Sequence, residues 1–95
     1  MVNGIYKSQA IEGKYAISVM LMLLDKGSMS KGILSHALSS GSGVVQDRVK
    51  ELKEVDLLTE KKEDRRPFRI MVELTPRGRA VAEKLREIEE ILSGT

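Results

Sequence analysis

Residues 57–78, LLTEKKEDRRPFRIMVELTPRG, limit the possible folds more than any other part of the chain. The later half alternates, with Ile70, Val72 and Leu74 on one face and Arg69, Met71 and Glu73 on the other, as in a half-buried strand. Residues 57–62 predict a weaker first strand, opening on two leucines and ending in charge. Between them Glu63-Asp64-Arg65-Arg66-Pro67 is polar and proline-marked, which suits a hairpin tip longer than two residues. Thr75 and Pro76 then open a helix, with the threonine as cap and the proline at its first position. Two uses fit arginines at such a tip: contact with nucleic acid, or charge that keeps an edge strand from pairing with another chain.

The 95 residues suffice for one domain with a single core, spanning 1–95, with an N-terminal arm at 1–13 and a closing helix at 76–95. No apolar run is long enough to span a membrane, and residues 1–15 lack the apolar centre of a signal peptide. The absence of cysteine removes disulfides and thiolate metal sites, and a cytoplasmic location is expected. A net charge of +2 is modest, but its distribution is uneven. Arg48, Lys50, Lys53, Lys61, Lys62, Arg65, Arg66 and Arg69 cluster, whereas Glu83, Glu87, Glu89 and Glu90 make the tail acidic.

The arm carries Ile5, Tyr6 and Ile11, enough to dock it somewhere. A first helix is predicted over 15–25, closed by Gly27 and apolar at every position of 17–24 except Ser18. Ser28 or Ser30 can cap a second helix to about Leu38, with Ile33, Leu34, Ala37 and Leu38 facing inward. The run Ser39-Ser40-Gly41-Ser42-Gly43 reads as a turn, and Ser42 as a cap for a third helix over 43–55. Val45, Val49 and Leu52 form that helix's buried stripe, opposite Gly43, Asp47, Lys50 and Glu54. The closing helix places Val81, Leu85, Ile88 and Leu92 in one seam. The order helix, helix, turn, helix, hairpin, helix makes the chain mainly α with a small β hairpin, and its centre a helix-turn-helix.

These residues resemble the winged-helix transcriptional regulators, most closely the MarR-like and PadR-like groups. The likeness covers roughly residues 28–85. It rests on VVQDRVKELKEVDLLTEKKEDRRPFR, similar to a recognition helix followed by a wing, and on VELTPRGRAVAEKL, similar to the return strand and closing helix. The resemblance implies a dimeric DNA-binding repressor or activator, often responsive to a small molecule. It puts Ser42, Val44, Gln46, Asp47 and Lys50 at the major groove, and Arg65, Arg66 and Arg69 in the wing at 60–69; Lys53 and Lys62 are expected to contact DNA as well.

Each assignment has a plainer alternative. The third helix could be an ordinary amphipathic surface helix. Against that, it follows the turn, begins with small residues and leads into the wing. Gln46 can pair with adenine, Lys50 can bond guanine acceptors, and Asp47 can accept from the cytosine amino group. The wing arginines suit phosphates or a narrow minor groove, while Glu63 and Asp64 offer them intramolecular partners instead. His36, the only histidine, has no ligand partner in any metal spacing, so no metal, cofactor or catalytic residue is expected. Met20, Met22 and Met29 could line an effector cavity, although core packing is the commoner use of methionine. The expected protein is a homodimer on double-stranded DNA, joined through the first and last helices along Val81, Leu85, Ile88 and Leu92. The rival is a winged-helix protein-interaction module indifferent to DNA.

Overall fold

The computed structural model describes residues 6–39 and 43–94. A 3-10 turn, η1 (Lys7–Ile11), precedes α1 (Ala16–Lys26), a two-residue strand β1 (Met29–Ser30) and α2 (Lys31–Ser39). Then come α3 (Gly43–Glu54), the hairpin strands β2 (Leu58–Lys62) and β3 (Ile70–Leu74), and α4 (Pro76–Leu92). The sheet is antiparallel with order β1-β3-β2. The hairpin register sets Leu58 against Leu74, Glu60 against Val72 and Lys62 against Ile70. The α+β winged-helix architecture is therefore as expected, with one strand added.

The core follows from helical and strand periods. Ala16, Val19, Met20 and Leu23 line the buried face of α1, and Val45, Val49 and Leu52 that of α3. They meet Leu34, Leu57, Leu58, Val72, Ala82 and Leu85. Gly27, at φ +78°, ends α1 and donates its N–H to the Leu23 carbonyl. Met20 is fully buried, and Met22 and Met29, partly buried, pack against the core.

Two expectations need correction, Ile33 with Ala37 on α2 and Ile70 on β3. Ile33 and Ala37 of α2 are exposed, and Leu34 with Ser35 is buried in their place. At 100° per residue Leu34, Ser35 and Leu38 share one arc, and Ile33 and Ala37 fall outside it. Along α4 the innermost ridge is Gly78, Ala82 and Leu85; Val81 is half-buried, while Ile88 and Leu92 are exposed. Ile70, placed on the inner face of its strand, is exposed near the hairpin tip, and only Val72 of that strand is fully covered.

One joint fixes the wing relative to α3. Asp56, at φ +63°, turns the chain out of α3. The Thr75 hydroxyl donates to the Asp56 carbonyl at 2.7 Å and accepts the Gly78 N–H at 2.9 Å. The Thr75 N–H donates to the Leu57 carbonyl at 3.1 Å. Thus the expected cap of α4 also stitches its start to the strand that leaves α3. A Cβ at Gly78 would overlap the Leu57 carbonyl oxygen and lie 2.8 Å from its carbon, so only glycine lets α4 approach this closely.

Candidate nucleic-acid interface

The exposed crest of α3 carries Gln46, Asp47 and Lys50, with Val44 half-buried at its first turn. Ser42 and most of the expected turn lie outside the described residues. The crest residues divide between two recesses. Gln46 borders a cleft shared with Lys31, Ile33 and His36 of α2 and with Arg69 and Ile70 of the wing. Asp47 and Lys50 border a groove on the other side, facing Gln9, Ala10 and Gly13 of the arm. An exposed polar ridge between a charged hairpin and a docked arm can enter a concave surface such as a DNA groove.

Lys53 is placed differently from Lys50. Its ammonium pairs with Glu60 Oε1 at 3.1 Å, and Lys31 pairs with Glu60 Oε2 at 3.1 Å. Glu60 of β2 therefore clasps the ends of α2 and α3 to the sheet. Burial raises the pKa of this carboxyl, but the two lysines outweigh that and hold it below the usual 4.5. The clasp joins both helices to β2; it was not legible as a triad, because its three members lie on three different elements.

In the wing, the three arginines are not equivalent. Arg69 is gripped by Glu63: its Nε donates to Oε1 at 3.0 Å, its Nη2 to Oε2 at 3.3 Å and its backbone N–H to Oε1 at 3.3 Å. This bonding lowers the Glu63 pKa from its usual 4.5 and raises that of Arg69. The intramolecular ion pair raised as the alternative thus applies to Arg69. Arg65 and Arg66 are exposed at the tip, and their guanidinium groups have no ion-pair partner among the described residues. Lys62, at the end of β2, is likewise exposed and unpaired among them. The tip itself is tightly bent, with a cis Arg66–Pro67 bond and Phe68 at φ +58°.

His36 is exposed on α2. Among the described residues no cluster of three or more His, Asp or Glu could hold a metal. No described helix is long and apolar enough to cross a membrane.

Comparisons with known proteins agree with this geometry. The model of the HxlR-like helix-turn-helix family matches residues 10–94. Among solved structures, the chain is similar to a protein described as a MarR-family transcriptional regulator from Enterococcus faecalis V583. Identity is 28%, coverage 90% of this chain and 78% of that one, and the TM-score 0.76. It is also similar to a transcriptional regulator homologue from Pyrococcus horikoshii OT3, at 19% identity, 93% and 89% coverage and TM-score 0.77. The redox regulator HypR in its oxidised form aligns at 16% identity, 93% and 91% coverage and TM-score 0.80. The last two bear on the fold alone. A comparison with curated proteins gives no match. The winged-helix resemblance read from the sequence holds. With the family model covering all of α1 to α4, the chain belongs to the HxlR-like helix-turn-helix family.

Proposed function

We propose that the protein regulates transcription in the cytoplasm by binding double-stranded DNA, inserting α3 into the major groove and laying the wing along the backbone or minor groove. The observation that carries this reading is the pair of exposed guanidinium groups of Arg65 and Arg66 at the wing tip, unpaired among the described residues. With Lys62 they supply the phosphate neutralisation that drives association. Gln46 and Lys50, with Asp47 and the small start of α3 at Gly43 and Val44, supply the choice of bases. Arg69, held by Glu63, and Lys53, held by Glu60, act first on the shape of the site.

Two-fold pairing fits the remaining surface. Ile88, Ile91 and Leu92 of α4 are 51%, 75% and 77% exposed, and Ile17 of α1 is 42% exposed. Leaving such surface in water costs roughly 25 cal/mol per Å², which a second copy recovers. Val81 and Leu85 lie deeper on the same helix, Leu85 within the chain's own core. A dimer would set its α3 helices on successive major grooves, roughly 34–36 Å apart, and favour a palindromic site.

The test is an electrophoretic shift with random duplex at low and moderate salt. Binding that weakens steeply as salt rises supports the reading. No shift at low salt rejects it in favour of a protein-interaction module.

A further inference from the structure

Arg48 lies on the flank of α3 between its buried stripe and its exposed crest, and its side chain is only 20% exposed. Its Nη2 reaches Glu51 Oε2 at 3.3 Å, and its Nε is buried without a hydrogen-bond partner among the described residues. It is therefore not offered to phosphates as Lys50 is. Its neighbour is the arm. A Cβ at Gly13 would lie 2.9 Å from Arg48 Cδ and 3.2 Å from Cζ, and would overlap Nη1. Gly13 is not among the positive-φ glycines, so close approach, not backbone freedom, is what glycine supplies here.

Gly13 is also the joint between arm and core. Its carbonyl accepts the Ala16 N–H at 3.0 Å, which begins α1. Tyr15 follows it at φ +70°, an unfavourable conformation for a bulky residue that the surroundings must hold. The groove beside the joint is bordered by Gln9, Ala10 and Gly13 on one side and by Asp47, Lys50 and Glu51 on the other. A largely covered arginine with an unpaired N–H is a poor choice for stability alone. A planar, rigid guanidinium under a backbone crossing makes a good strut.

We propose that Arg48 is a positioning residue that ties the arm, residues 7–13, to α3, so that the seating of the arm sets how α3 meets DNA. The effect on DNA rests on the DNA-binding reading above; the mechanical link does not. Displacing the arm moves the guanidinium, and with it the flank of α3 that borders Asp47 and Lys50. The arm thereby becomes a place from which a partner or ligand can alter DNA binding.

The test uses the full chain as Gly13→Ala, Arg48→Ala and the double variant. Hydrogen exchange is followed on the free protein, and affinity is measured for random duplex and for a duplex selected from a random pool. Gly13→Ala and Arg48→Ala should each speed exchange in 7–13 and 44–50 several-fold, leaving β2 and β3 unchanged. Each should weaken binding to the selected duplex by about 5- to 10-fold, a typical coupling between sites, without changing the salt slope. The double variant should be no worse than Arg48→Ala, because the three atoms nearest a Cβ at position 13 all belong to the Arg48 side chain that this change removes. If Arg48→Ala does not fold, Arg48→Met keeps the stem and serves instead. Additive effects, or unchanged exchange, overturn the strut. So does a salt slope reduced by about one in Arg48→Ala with Gly13→Ala silent, which marks a plain phosphate contact. If the wild type binds no duplex at low salt, the DNA reading fails, and exchange alone decides the strut.

Discussion

Glu63→Gln should make the protein bind DNA more tightly and with a steeper salt dependence. In the wild type, Glu63 occupies the Arg69 guanidinium through two bonds of 3.0 and 3.3 Å and places a negative charge beside the proposed phosphate path. Glutamine removes the charge and weakens the grip. The hairpin stays closed, because the backbone N–H of residue 63 still donates to the Arg69 carbonyl at 2.9 Å. One additional phosphate contact steepens the slope of log K against log salt by about 0.9. Between roughly 50 and 200 mM salt, the advantage over wild type should then shrink about 3- to 4-fold. Fluorescence anisotropy of a labelled duplex across that range measures it. Arg69→Ala should do little beside an intact Glu63 and should cancel the gain when combined with Glu63→Gln. Acid is no substitute for the mutation. Arg69 holds the Glu63 pKa below 4.5, so the carboxylate stays charged across neutral pH and is neutralised only as pH falls through that lowered value. The reasoning is refuted if Glu63→Gln leaves the slope unchanged while Arg69→Ala alone reduces it by about one. Arg69 would then reach phosphate despite its partner.

Further outcomes follow from the joints and the exposed helix. Gly78→Ala should cost about 3 kcal/mol in urea unfolding, because the new methyl meets the Leu57 backbone oxygen, which has no rotamer to escape to; a loss under about 0.5 kcal/mol would disprove that contact. Glu60→Gln should lower stability by about 1 kcal/mol at neutral pH, the upper end for partly exposed ion pairs. Because the Glu60 pKa is lowered from 4.5 on folding, its contribution is present above that value and lost as pH falls through the folded one. The urea midpoints of the wild type and the Glu60→Gln variant should therefore converge in acid, and parallel curves would contradict the clasp. Ile88→Glu with Leu92→Glu should reduce the mass by light scattering from twice 10.6 kDa to 10.6 kDa without unfolding, and weaken DNA binding through lost bivalency; a wild type already at 10.6 kDa would exclude the dimer.

The parts of this fold that were legible in the sequence are those governed by a period or a special residue. The stripe Val45, Val49 and Leu52 follows from the helical repeat, Gly27 from the left-handed end of α1, and Thr75-Pro76 from cap chemistry. The strand Met29–Ser30 is too short to show an alternation, and it exists because β3 offers it a partner. The arm's turn at Lys7–Ile11 carries no period, and the close approach of Gly13 at its end to Arg48 of α3 joins residues remote in sequence. On α2, the apolar Ile33 and Ala37 outweighed Ser35 in the reading, yet the tertiary packing buries the serine. On α4, small residues lead the packing: Gly78 and Ala82 allow a close approach that a search for large apolar side chains passes over. Of the interface, the positions of the wing and α3 were readable, and the pairing of particular charges was not. Glu63 with Arg69, and Glu60 with Lys31 and Lys53, depend on hairpin register and helix angle.

The central claim is a division of labour, in which α3 selects the sequence and the wing supplies general affinity. Its most direct test compares Gln46→Ala and Lys50→Ala with the double change Arg65→Ala and Arg66→Ala, across a panel of duplexes and salt concentrations. The wing double variant should bind every duplex more weakly to a similar extent, with the salt slope reduced by up to about 2. The α3 variants should instead change which duplexes are preferred, by about 1–3 kcal/mol at the contacted base pair. A wing double variant that binds as tightly as wild type at every salt concentration would contradict the account, as would α3 variants with an unaltered order of preference.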